Sequence, residues 1–277
     1  MTRWPLSRTY EGASAAIRWD RMGSGPPVIL LHGTPSSSYL WREVASTLAS
    51  RFTVYVFDWP GYGQSARGPG INLSWDEQAR RLVELIDHWG LDRPAIVAHD
   101  IAPVLALRAH LLEGMALGPL VLADAGLVPP FVTGFSRHVC DHIGVFRAIP
   151  THIAEAMIRR HIETTVSRPM TEDVLDAYMA PWRGTEGVAA YWDAVAAYDE
   201  GLARPAVERL GAVDTPTLVL WGADDAWEPA WKADELAEPI PGARRQLIPG
   251  AGHFAPEDEP AAFAEAVAGF LDEVGHR

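Results

Sequence analysis

Short uninterrupted apolar runs alternate with longer amphipathic stretches along most of this chain. Val28-Ile29-Leu30-Leu31 stops at His32-Gly33-Thr34-Pro35, and Phe52 to Phe57 stops at Asp58. Ala95-Ile96-Val97-Ala98 runs into His99-Asp100, and Leu120-Val121-Leu122-Ala123 stops at Asp124. Thr217 to Trp221 and Arg245 to Ile248 are two further runs. Continuous apolar segments of this length predict strands buried on both faces. Helical spacing fills the gaps. Leu40 to Leu48 is one such stretch. Ser74 with Glu77 forms a capping box ahead of Leu82, Leu85, Ile86 and Trp89, and Gly90 ends that helix. Ala102 to Leu112 is a third stretch, with Pro103 in the first turn where a missing N–H is tolerated. Pro260 to Val274 is the last, with Phe263, Val267 and Phe270 on one face. Residues 8–23 alternate loosely and end in Gly23-Ser24-Gly25-Pro26-Pro27, which reads as a β-hairpin entering the fold.

Between about Gly126 and Ala212 the strand-like runs vanish and helical patterns replace them, at 153–159, 171–179 and 188–198. Strands alternating with helices predict an α/β fold with a mostly parallel, doubly wound sheet. Residues 1–126 and 213–277 then form the core domain, and 127–212 form an inserted helical cap over the C-terminal edge of the sheet, where such sheets bind ligands.

Composition narrows the partners. The formal net charge is −13, from 36 acidic and 23 basic residues, with no Lys/Arg cluster, so nucleic acid and anionic membrane surfaces are not expected partners. No uncharged apolar run reaches a membrane span, and Met1 to Tyr10 has no signal-peptide h-region. A single cysteine, Cys140, rules out an internal disulfide and suits a cytoplasmic location. Eleven tryptophans allow an aromatic-lined cavity for an apolar ligand. A homodimer is left open, and neither a metal nor a cofactor is expected.

The candidate chemistry lies in three loops that follow strands. Ala98-His99-Asp100-Ile101-Ala102 has the small-x-x-x-small pattern of a nucleophile elbow, with Asp at its centre. Gly222-Ala223-Asp224-Asp225 follows one strand, and Gly250-Ala251-Gly252-His253 follows the next. The order is nucleophile, acid, base. With His32-Gly33-Thr34-Pro35 after the third strand, the chain resembles the α/β-hydrolase superfamily over essentially its whole length. The Asp at the elbow points to the branch that holds epoxide hydrolases and dehalogenases.

The resemblance implies a mechanism and a set of site residues. A carboxylate displaces halide or opens an epoxide at carbon, giving an alkyl ester on Asp100. His253, oriented by Asp225, then activates the water that hydrolyses it. Asp124, at the end of the preceding core strand, is the alternative acid. The N–H groups of Thr34 and Ile101 are the expected oxyanion donors. His32 and His99 are expected to shape their loops and to border the substrate.

Haloalkane dehalogenases of this type carry a halide-binding Trp beside the nucleophile and Trp or Asn as its partner; this chain has Ile101 and Thr34 there. Ile101 also replaces an Arg that fluoroacetate-type enzymes use. Epoxide hydrolases use cap tyrosines as acids, and Tyr178, Tyr191 and Tyr198 are available, with Trp192 beside the second. The expectation is an epoxide hydrolase that acts with water on a small to medium apolar molecule. A haloalkane or haloacid dehalogenase is the nearest alternative. A natural-product cyclase or lyase using Asp100 and His253 as acid and base, and a non-catalytic small-molecule binder, also remain open.

Overall fold

A computed structural model describes residues 4–276. Residues 1–3 and 277, at the two ends of the expected core segments, lie outside it. Eight strands form one sheet in the order β1-β2-β4-β3-β5-β6-β7-β8. They are β1 (Arg8–Glu11), β2 (Ala16–Met22), β3 (Pro27–Leu31), β4 (Thr53–Phe57), β5 (Ala95–His99), β6 (Leu120–Ala123), β7 (Thr217–Gly222) and β8 (Arg244–Ile248). The hairpin β1–β2 is antiparallel, as is β2 on β4, and every other pairing is parallel. β5, β6 and β7 are buried along their whole length, as their unbroken apolar runs require. β8 is the edge strand, and its Arg244, Arg245 and Gln246 face solvent.

Helices flank the sheet: α1 (Arg42–Leu48), α2 (Trp75–Trp89) and α3 (Ala102–Leu111) between the early strands. Ser74 Oγ accepts the Glu77 N–H, and Gly90 closes α2 in the left-handed conformation at φ 64°, as the capping pattern requires. The expected helix at Leu40 begins instead as a 3₁₀ turn, Ser38–Trp41, because the Ser37 and Asp58 side chains take the first amide groups.

Between β6 and β7 the chain is helical throughout: α4 (Gly134–Asp141), α5 (Ile143–Arg147), α6 (Thr151–Glu163), α7 (Glu172–Met179), α8 (Gly184–Ala196) and α9 (Glu200–Val207). The helical patterns read from the sequence correspond to α6, α7 and α8. Gly134, Gly144 and the internal Pro205 obscure α4, α5 and α9, which form because neighbouring helices bury Val139, Phe146 and Ala206. After β7 and β8 come α10 (Trp231–Ala237), α11 (Ala255–Asp258) and α12 (Pro260–Glu273). Among the described residues no helix is long and apolar enough to cross a membrane.

Pairing registers bring the strand ends together. His99 lies opposite Ala123, Ala123 opposite Leu220, and Gly222 opposite Ile248. Asp100, Asp124, the 223–229 turn and the 249–253 loop therefore leave the sheet at one edge.

Candidate active site

The turn after β5 is strained. Asp100 has φ 60°, a conformation rare for a residue with a side chain, and its neighbours hold it there. Its N–H donates to the Ala123 carbonyl at 3.1 Å, and its own carbonyl accepts from Gly126 N at 2.9 Å. Gly33 is needed beside it, since a Cβ there would lie 2.3 Å from Asp100 Cβ. Ala98 and Ala102, fully buried, allow strand and helix to approach at this turn.

The Asp100 carboxylate is hydrogen-bonded at one oxygen and faces the base with the other. Oδ2 accepts the Thr34 N–H at 2.6 Å and the Thr34 hydroxyl at 3.0 Å. Oδ1 faces His253 Nε2 at 3.5 Å. Thr34 thus supplies one expected oxyanion donor; the N–H of Ile101, a buried side chain at the start of α3, makes no hydrogen bond to the carboxylate. Burial acts to raise Asp100, but the nearby His253 and the Thr34 N–H prevail and hold it below the usual carboxylate range.

His253 Nδ1 donates to Asp225 Oδ2 at 3.0 Å. Asp225 is fixed in turn, because its Oδ1 accepts from Trp227 N at 2.7 Å and Glu228 N at 2.9 Å. Burial opposes the imidazolium, yet Asp225 and Asp100 on either side raise His253 well above its ordinary pKa. The loop carrying it packs tightly: a Cβ on Gly222 would lie 2.2 Å from the Gly252 carbonyl oxygen.

Asp124, the alternative acid, does not bond to His253. Its Oδ1 accepts from Gly222 N at 2.7 Å, and burial together with the Asp225 charge pushes its pKa well above the usual carboxylate range. Two further expectations are corrected. His32 and His99 do not border a substrate. His32 donates through Nδ1 to the Gly33 carbonyl at 2.9 Å and accepts Trp59 N–H through Nε2 at 3.1 Å. His99 donates through Nε2 to the His253 carbonyl at 2.7 Å, and burial lowers it to about 4. Both are fully buried braces of the site loops. Tyr178 also points elsewhere, donating to Glu257 Oε2 at 2.7 Å, where Glu257 pairs with Arg42.

The phenols near Asp100 are Tyr62 and Tyr198, and Tyr191 lies beside both. Burial first, and the Asp100 charge second, raise Tyr62; burial, Tyr62 and Asp100 raise Tyr198. Tyr198 bonds to the Thr34 hydroxyl. Since that hydroxyl gives its proton to the carboxylate, Tyr198 is the donor, and a chain runs Tyr198 to Thr34 to Asp100. The Tyr191 hydroxyl is buried without a hydrogen-bond partner. Trp182 holds this group together: its Nε1 donates to the Pro35 carbonyl at 3.1 Å, and its ring lies 5.8 Å from Tyr62 and 5.4 Å from Tyr191. Trp192 packs behind Tyr191 on Phe146, at 5.2 Å. Tyr62 was not singled out in the sequence, although Gly61-Tyr62-Gly63 in the loop after β4 belongs to the same sheet edge. Among the described residues no cluster of His, Cys, Asp and Glu could hold a metal ion.

Comparison with known proteins agrees with this architecture. The sequence pattern of the Alpha/beta hydrolase family matches residues 28–266. This chain belongs to the alpha/beta hydrolase family. Haloalkane dehalogenase 2 of Mycobacterium tuberculosis is 30% identical over 277 residues, covering 94% of this chain and 93% of that one. The solved structure of an alpha/beta hydrolase fold protein from Burkholderia ambifaria is 35% identical with a TM-score of 0.91, covering 95% and 97%. A thermophilic esterase from Thermogutta terrifontis is 27% identical with a TM-score of 0.74, covering 99% of each chain. The family's members among these relatives include enzymes, and the α/β-hydrolase fold of this chain is shared with them.

Proposed function

We propose that this hydrolase cleaves an electrophilic sp³ carbon through an alkyl ester of Asp100, with an epoxide as the favoured substrate class. The observation that carries the reading is the unequal hold on the two Asp100 oxygens. Thr34 binds Oδ2, which leaves Oδ1 as the attacking atom and makes Oδ2 the ester carbonyl oxygen. That same Oδ2 gains negative charge when water attacks Cγ, so the Thr34 donors are set for the second step as well.

The charge balance supplies the timing. In the free enzyme His253 lies between two carboxylates, which favour its charged form. Esterification removes the Asp100 charge, and His253 falls back towards neutrality and becomes a base. It then takes the proton of the attacking water through Nε2, while Asp225 stabilises the imidazolium that forms. Tetrahedral collapse releases Oδ1 with the product alcohol. Asp124, bonded to Gly222 N, takes no part.

Phenols favour an epoxide. Ring opening creates an alkoxide, and the Tyr62 and Tyr198 hydroxyls lie near the carboxylate to donate to it, with Tyr191 beside them. The helical insertion 127–212 serves as the cap, since Trp182, Tyr191 and Tyr198 come from it. The substrate is then a neutral apolar molecule, because the groups facing the carboxylate are aromatic or hydroxylic. A haloalkane dehalogenase is the second reading, favoured by the 30% identity to haloalkane dehalogenase 2.

The test is a side-by-side panel of terminal epoxides and 1-haloalkanes, with diol and halide release measured separately. Diol formation that Tyr198→Phe lowers by about 10²-fold or more supports the first reading. Halide release without diol formation supports the second.

A further inference from the structure

Trp227, in the turn after β7, touches three parts of the site at once. Its backbone N–H donates to Asp225 Oδ1 at 2.7 Å. Its indole lies flat against the His253 ring, with centroids 5.0 Å apart and planes 20° apart. Its Nε1 donates to Thr164 Oγ1 at 3.1 Å, at the end of α6 in the helical insertion. The outer face of the indole carries His161 at 4.2 Å and 22°, and Phe135 packs on His161 at 4.2 Å. A column of four rings therefore runs from the insertion to the imidazole. A cavity of about 400 Å³ opens along the edges of Phe135, His161 and Trp227.

We propose that Trp227 is a positioning residue that makes the orientation of His253 depend on the seating of the helical insertion. This rests on reading His253 as the base, and not on Asp100 being the nucleophile. One hydrogen bond at Nδ1 leaves an imidazole free to swing about that bond; a face contact fixes its plane. An indole face also favours the imidazolium over the neutral ring. The segment after α6 grips the histidine loop independently, since Phe254 N–H donates to the Thr165 carbonyl and Ser167 N–H to Asp258 Oδ2, each at 2.8 Å.

The charged and titratable groups around His253 are Asp100, Asp124, Asp225 and Glu228 on the core side, with His99 beneath it and His161 beyond the indole. Burial lowers His161 to about 3 and His99 to about 4, so both stay neutral around pH 7. The insertion therefore brings no charge of its own to His253 from α6. Its contact with the ring face passes through the indole, and its hold on the loop through Thr165 and Ser167.

The experiment is a ring-nitrogen NMR titration of His253 in the full-length protein labelled at histidine, without substrate. Wild type is compared with Trp227→Leu, Trp227→Phe and Thr164→Val, with hydrogen exchange of residues 151–167 followed in parallel. Trp227→Leu should lower the His253 midpoint by about 0.5 pH unit or more and abolish the low-field Nδ1 proton signal. Trp227→Phe keeps a ring face and should lose less. Thr164→Val should shift the midpoint in the same direction while exchange in 164–167 speeds up. Folded variants whose melting temperature falls while the midpoint and Nδ1 signal stay fixed would overturn the proposal and leave Trp227 a packing residue. If Trp227→Leu does not fold, Trp227→Phe and Thr164→Val decide it. A moved His253 midpoint together with an Asp100 that never becomes esterified would sink the nucleophile reading and leave this one standing.

Discussion

Thr34 binds one oxygen of Asp100 twice, through its N–H at 2.6 Å and its hydroxyl at 3.0 Å, and so makes the two carboxylate oxygens chemically unequal. The hydroxyl is the adjustable half of this arrangement, because Tyr198 donates to it in turn. Thr34→Val keeps the backbone donor and the β-branched shape but removes the side-chain one. Single-turnover kinetics should show a loss of about 10- to 100-fold in ester hydrolysis, with KM little changed.

Asp225 and Asp124 compete for the acid role at adjacent strand ends, and only Asp225 bonds to His253. Asp225→Asn should lower kcat by about 10²- to 10⁴-fold, since the amide supports the wrong imidazole tautomer. Asp124→Asn should change kcat by no more than about 3-fold, because Asp124 makes no hydrogen bond to His253 and an amide oxygen can still accept from Gly222 N. Steady-state assays of the two variants, each checked for folding by circular dichroism, compare them directly.

His253 carries a pH signature with a definite sign. Its folded pKa is raised, so its stabilising contribution is fully present below the ordinary imidazole pKa and fades as pH rises through the folded value. Asp100→Asn removes one of the two flanking charges and should lower the His253 midpoint by about 1 pH unit or more. An NMR titration reads the shift. It also reads the state of His253 in the ester, which Asp100→Asn mimics in charge.

Glu228 and Lys232 form a buried pair at 2.5 Å, with Lys232 Nζ also donating to the Pro130 carbonyl at 2.7 Å. Burial raises Glu228 to about 7 against the opposing effect of Lys232. Removing one partner strands the other. Glu228→Leu alone should cost about 3–5 kcal/mol in urea unfolding, and Glu228→Leu with Lys232→Met should recover much of it.

The sheet was legible in the chain because its central strands are buried on both faces, and the run 95–99 ended directly at Asp100. Asp100, Asp225 and His253 could be read for the same reason: each follows a strand, and strand ends converge. The phenols were only half legible. Tyr191 and Tyr198 lie on or next to a helix whose spacing says buried without saying against what. Tyr178 has the same spacing and turns to Glu257 instead. His32 and His99 looked like substrate contacts, but both nitrogens of His32 and Nε2 of His99 bond to backbone groups that only the folded loops bring near. Trp227 had no signal in the sequence, since its role depends on Thr164 and His161, more than 60 positions away.

The central claim is that Asp100 is esterified in each cycle, and heavy-oxygen water tests it most directly. In a single turnover with excess enzyme, the product alcohol should carry ordinary oxygen and the peptide containing Asp100 should gain one heavy oxygen, about 2 mass units. Repeated turnover should not add a second, because Thr34 keeps Oδ2 out of the exchange. A product labelled in the first turnover, with Asp100 unlabelled, would mean that water attacks the substrate directly and would contradict the account.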